Sequence, residues 1–161
     1  MIIKKNNEPK SIEMIVADIT YSFTKLIAQK NPILSITIKD THCKTKEELR
    51  FNLTNKFFNR MKREYKNTPE IFNYLFVIEY PKMVATANFI PTTCIPHAHI
   101  ILETTIPANI VEFYAQDCFK TDDIKIDPIN KRTDKENYIH YLTKQKHLFD
   151  NDTYNYKITI N

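Results

Sequence analysis

With 161 residues, 42% of them hydrophobic and 26% charged, the chain has the length and composition of one globular domain, expected to span residues 1–161. Three cysteines at unrelated spacings (Cys43, Cys94 and Cys118) exclude a disulfide framework. The absence of glycine excludes P-loops and dinucleotide fingerprints, whose backbones must approach phosphates closely, and the net charge of +4 fits a nucleic-acid partner without demanding one.

In chain order, the start "MIIKKNNEPK" lacks the apolar core of a secretory signal. No apolar run nears the roughly 20 residues of a membrane span. A cytoplasmic protein with no membrane partner is therefore expected. Ile12, Ile15, Val16, Ile19, Phe23, Leu26 and Ile27 recur at helical spacing and predict a helix over 11–29. "ILSITIKD", residues 33–40, reads as a strand. Residues 45–65 form a long helix, opened by a Thr45/Glu48 capping box. Its Leu49, Leu53, Phe57, Met61 and Tyr65 make a core stripe at every fourth position, and its polar side is basic. "YLFVIEY", 74–80, and residues 95–103 are strands, separated by a polar loop with prolines. A helix follows over 107–118 with Pro107 at its start. "DDIKIDP" is a short strand or extended arm. Residues 133–148 are a helix opened by Thr133 and Glu136, and "YNYKITI" is a closing strand. The order predicts an α+β fold, an antiparallel sheet with helices packed on it.

The strand "IPHAHIILE" places His97 and His99 one residue apart, and a chain with five histidines needs neither in a buried strand. Alternation sends both to one face, while Ala98, Ile100 and Leu102 take the other. Two imidazoles about 7 Å apart along a strand can reach one metal ion. Glu79 interrupts the apolar run of 74–80, where an unpaired carboxylate is costly. If strands 74–80 and 95–103 pair, Glu79 completes a two-histidine, one-carboxylate set. The plain alternatives are a half-exposed strand face for the histidines and a strand-end salt bridge for Glu79. Cys94 adds a zinc reading, and the same ligands suit a non-haem iron oxygenase.

At about 100° per residue, the helix "ENYIHYLTKQ" sets Tyr138, Ile139 and Leu142 toward the core. His140, Tyr141 and Lys144 lie on another side, Lys144 one turn beyond Tyr141. A phenol with a pKa of about 10 is a poor nucleophile. A neighbouring ammonium and a metal-polarised target favour its attack on phosphorus, and Lys144 can stabilise charge on phosphate.

In this order, a strand with Glu79, then "PHAHIIL", then "YLTK", the residues resemble the HUH-type rolling-circle replication initiators of plasmids and viruses. The likeness covers roughly residues 45–148. His97 and His99 match the family's His–hydrophobic–His pair, Tyr141 and Lys144 its Tyr-x-x-Lys, and Glu79 the acidic third ligand. His140 or Glu136 stands as a substitute ligand and Tyr138 as a rival nucleophile. The resemblance implies a ferredoxin- or RRM-like endonuclease fold; the helicase domain often attached to such initiators is not expected within these 161 residues. It implies Mg²⁺- or Mn²⁺-dependent nicking and joining of single-stranded DNA at a replication origin, often in a hairpin. Tyrosine would form a 5′-phosphotyrosine link and leave a free 3′-hydroxyl, with a separate helicase and polymerase as partners. Lys56, Arg60, Lys62 and Arg63 on the long helix, and Lys131 and Arg132 in "INKRTDK", are candidate phosphate contacts; a solvated basic face explains them equally. A transposase or relaxase of the same chemistry, and a non-catalytic nucleic-acid-binding module that uses the sheet for stacking, are the competing readings.

Overall fold

The structure is a computed structural model that describes residues 8–67, 72–81, 94–130 and 135–159. Lys131, Arg132 and Thr133 lie outside the described residues. Helix α1, Ile12–Ile27, is capped by Ser11, whose hydroxyl accepts the Met14 amide. Strand β1 covers Ile33–Ile38. The expected long helix is continuous but not uniform: α2, Lys46–Phe51, passes into a π-helical segment, Asn52–Phe58, and then α3, Asn59–Glu64. The sequence pattern explains this. Residues spaced by four drift about 40° per step around an α-helix, and the wider π turn reduces that drift. Leu49, Leu53, Phe57 and Met61 therefore all stay buried. Thr45 accepts the Glu48 amide as expected, whereas the Glu48 carboxylate takes the amide of Lys44, one residue before the cap.

Strands β2, Asn73–Glu79, and β3, His97–Glu103, are followed by α4, Ala108–Phe119, β4, Ile124–Pro128, α5, Lys135–Leu142, and β5, Tyr154–Lys157. Helix α5 is shorter than its sequence pattern: after Leu142 the chain turns, and Lys146–Leu148 form a single 3₁₀ turn. Without glycine, the left-handed positions fall to Asp40, His42 and Lys120, and Lys120 ends α4 there. The sheet is antiparallel, in the order β4-β1-β3-β2-β5.

Helices cover both faces, which the sequence pattern did not specify. Ala98, Ile100 and Leu102 join Leu34, Ile36, Ile38, Tyr74, Phe76 and Ile78 under α2, the π segment, α3 and α4. On the other face Leu75, Val77 and Ile101 pack against Ile15, Ile19, Phe23 and Leu26 of α1 and Leu142 of α5. The histidines stand on this second face, beyond the apolar patch. Among the described residues, no helix is long and apolar enough to cross a membrane.

Candidate metal centre and tyrosine site

The β2–β3 register sets Glu79 opposite His97 and Val77 opposite His99. Paired residues share a face, so the condition for Glu79 to join the histidines is met. Glu79, His97 and His99 are buried, and their ligand atoms lie within 4.8 Å of one another; they form a group that could hold a metal ion. Both imidazoles turn Nε2 toward Glu79 Oε1, at 2.7 Å for His97 and 2.6 Å for His99. Lys144 Nζ approaches the same oxygen at 3.0 Å. The donor set fits a divalent cation: two imidazole nitrogens and one carboxylate converge on one point. His140 is exposed on α5 and does not belong to the group; Glu136 is exposed as well.

Burial favours the protonated form of Glu79. The hydrogen bonds from His97 and His99, the electrostatic pull of His99 and the hydrogen bond from Lys144 outweigh it and hold the carboxyl well below the usual range. Burial pushes His99 down, with help from His97 and Lys144, against the pull of Glu79. A neutral imidazole is the form a metal needs. On the neighbouring strand Thr37 lies opposite His99, and its hydroxyl meets His99 Nδ1 at 3.2 Å. This contact turns the ring so that Nε2 faces Glu79, as an outer partner does for a ligand.

Tyr141 Oη sits 3.4 Å from His99 Nδ1 and 3.5 Å from Nε2, with the rings edge to face at 4.9 Å. The phenol is half-exposed, open to the cavity of about 310 Å³ over the cluster. Lys144 Nζ lies 4.0 Å from the centre of the Tyr141 ring. The ammonium therefore covers the ring face and engages Glu79, and does not bond the phenol oxygen as the helical spacing suggested. The phenol is pushed up, first by burial, then by the Glu79 and Tyr138 charges, with Lys125 opposing. Tyr138 stacks on Phe23, centroids 5.7 Å apart and planes at 18°, and packs with the α1 side of the core. That is the core role its helical position predicted.

The basic residues of the long helix are not brought to this site. α3 packs on the opposite face of the sheet. There Arg60 pairs with Asp117 and covers the Tyr114 ring at 4.9 Å. Lys62, pushed down to about 8 by burial and the neighbouring Lys157, is half-buried, and Arg63 is exposed. Lys56, in the π segment, is exposed on that side of the molecule. Cys94 is half-buried and stands outside the metal-ligand group, which removes the basis for a zinc-thiolate centre among the described residues.

Several residues at the site carried no sequence signal. Thr37 became visible only through the register. Gln145 is buried and bridges Tyr80 in both directions: its Oε1 accepts the Tyr80 amide at 3.0 Å and its Nε2 donates to the Tyr80 carbonyl at 2.8 Å. This clamp ties the end of β2, and so Glu79, to the turn that carries Lys144. Lys46 donates to the Leu148 carbonyl at 2.8 Å and to Thr153 at 3.1 Å, which anchors the segment after that turn. No protein-family model, curated protein or solved structure matches this chain.

Proposed function

We propose that the chain is a metal-dependent enzyme that nicks and joins single-stranded DNA, with Tyr141 as nucleophile, acting in the cytoplasm of a cell that hosts a plasmid or virus. The observation that carries this reading is the Tyr141 hydroxyl resting against His99, on the open side of a buried two-histidine, one-carboxylate cluster. The HUH-type resemblance supplies the reaction: initiation of rolling-circle replication at an origin, with a separate helicase and polymerase.

His97, His99 and Glu79 would hold Mg²⁺ or Mn²⁺, and the imidazoles favour Mn²⁺. When bound, such an ion is a Lewis acid for a non-bridging phosphate oxygen. The chain's own residues do the rest. Thr37 and the Gln145 clamp hold the ligands in place. Tyr141 Oη forms a bond to phosphorus as the bond to the 3′ oxygen breaks; the phenol proton leaves, and the 3′ oxygen takes one up. The phosphodiester energy is kept in the 5′-phosphotyrosine, so the free 3′-hydroxyl can reverse the step and join ends. The Glu79 charge is one of the contributions that hold the Tyr141 phenol protonated, and a cation held there would offset it. Lys144, released from Glu79, has the reach to neutralise phosphate.

A transposase or relaxase of the same chemistry shares every one of these steps and differs in its DNA. A binding module that stacks bases on an open sheet fits less well, because both faces carry helices. An iron oxygenase gives Tyr141 no task. The test is a denaturing gel after incubation with a diverse pool of single-stranded DNA and Mn²⁺. A covalent adduct that disappears with EDTA and in Tyr141→Phe is the expected result. An adduct that survives Tyr141→Phe moves the nucleophile to Tyr138. The lack of any adduct from the unaltered chain removes the proposal.

A further inference from the structure

Beside the metal cluster a second cleft, about 580 Å³, opens between the β4–β1 edge of the sheet and α5. It shares Lys39, Asp123 and Tyr141 with the cavity over the cluster, so Tyr141 is the wall between the two. Its floor follows from the register. Lys125 is opposite Thr37, Asp127 is opposite Ser35, and Thr37 is opposite His99 in turn. These side chains therefore stand on the histidine face. Tyr138 and Tyr141, one helical turn apart, form the side. The volume is that of a site for a small organic group, about 300–1,000 Å³.

Three chemistries meet there. The Tyr138 ring is held by its stack on Phe23 and offers a fixed aromatic surface. Lys39 and Lys125 bring cations. Asp123 and Asp127 bring carboxylates, which only accept hydrogen bonds. A nucleotide calls for all three: a ring to stack on, positive charge for phosphate, and partners for the base edge. Carboxylates distinguish among bases. Adenine, cytosine and guanine each present an exocyclic amino group, whereas the one donor on thymine's pairing edge, N3–H, stands between two carbonyl oxygens that a carboxylate repels. Asp127 is more than half exposed, and its pairing with Lys125 at 3.5 Å is a surface contact that opens at little cost.

We infer that this cleft seats the nucleotide flanking the scissile phosphate, and that Asp127 selects there a base carrying an exocyclic amino group over thymine. The inference rests on Tyr141 being the nucleophile, because Tyr141 is what joins the cleft to the reacting phosphate. Asp127→Asn keeps the shape and supplies a donor that tolerates a carbonyl oxygen.

The experiment presents the unaltered protein and Asp127→Asn with a randomised single-stranded DNA library and Mn²⁺. Adducts are isolated under denaturing conditions, and both the attached and the released fragments are sequenced. The expected result is thymine depleted about tenfold at one position next to the linked phosphate, with most of that depletion lost in Asp127→Asn. Equal base preferences in the two proteins, or no preference at either flanking position, overturn the inference while leaving the nuclease reading intact. No adduct from the unaltered protein overturns both. Asp127 lies on an exposed edge strand, so the variant folds; matching denaturation midpoints confirm that any change in preference belongs to the cleft.

Discussion

At one end of the β2–β3 ladder Glu79 lies opposite His97; at the other, Asn73 lies opposite Glu103. Both carboxyl groups are buried on the same face of the sheet. Glu79 Oε1 takes His97, His99 and Lys144, and the group opens into a cavity. Glu103 Oε1 takes only the Asn73 amide, at 2.9 Å, and its Oε2 has no hydrogen-bond partner. Asn73 in turn accepts the Thr159 amide at 2.8 Å, which ties down the chain beyond β5. A buried acid is thus no mark of a site by itself. What distinguishes Glu79 is a set of nitrogens that could be exchanged for one cation, with a path from solvent. Glu103 is sealed, and its one partner is the Asn73 side-chain amide, which itself holds the backbone at Thr159.

The comparison breaks most sharply at the metal. Glu79→Gln is expected to weaken Mn²⁺ binding, read by titration calorimetry, by more than about 100-fold, beyond the effect of losing an outer partner, and to abolish adduct formation. Asn73→Ala should leave Mn²⁺ affinity unchanged; an equal loss in both variants would erase the distinction between the two ends.

Stability should answer in the opposite sense. Asn73→Ala strands Glu103 Oε1 and the Thr159 amide, and is expected to cost about 1–3 kcal/mol in urea denaturation. A shift within the range of ordinary surface substitutions, about 0.5 kcal/mol, would mean that Glu103 does not need its partner.

Acid sharpens the contrast further. His99 is held below its ordinary value of 6.5, so the unfolded chain takes up its proton first, and stability falls as pH drops below about 6.5. Glu79 is also held down, so its contribution is present above its ordinary value of 4.5 and is lost as pH falls below it. Denaturation midpoints in EDTA should therefore decline in two stages toward low pH. Glu79→Gln should lack the lower one; a second stage retained in that variant would assign it to other carboxylates. The smallest effect belongs to Thr37→Val, which removes the nearer of the two hydroxyls at His99 Nδ1 and should weaken Mn²⁺ binding by about tenfold. Unchanged affinity would show that packing alone orients the ring.

The elements were legible where one periodicity dominated. The apolar stripe of α1, the alternation through residues 97–103 and the aliphatic run of β2 each point to a single solution. The fold class follows from their order. The π segment was not legible, because a stripe at every fourth position is also an acceptable α-helical pattern until the core has to be packed. The basic side of the long helix looked like a DNA contact because charge is visible in a sequence and layer is not. Arg60, Lys62 and Arg63 lie on the far side of the sheet from His97 and His99, and Arg60 already has Asp117. Thr37 and Gln145 were invisible for a different reason: each acts through one hydrogen bond partner 62 or 65 residues away.

From the sequence alone came the pair of histidines on one face, since a strand's two-residue repeat requires it, and Tyr141 on a side of its helix apart from the core-facing Leu142, since a 3.6-residue repeat requires that; Lys144, expected on the same helix, lies in the turn after its end at Leu142. Local periodicity reaches no further. The tertiary structure decided that Glu79 meets His97 across an antiparallel pair without offset, that the Tyr141 hydroxyl comes to rest on His99, and that Lys144 turns to Glu79 and not to the phenol oxygen. Those outcomes depend on strand register and helix docking, which are set by the apolar packing of Leu75, Val77, Ile101 and Leu142 against α1. The energy that places the site is thus spread through a core that contains none of its chemistry.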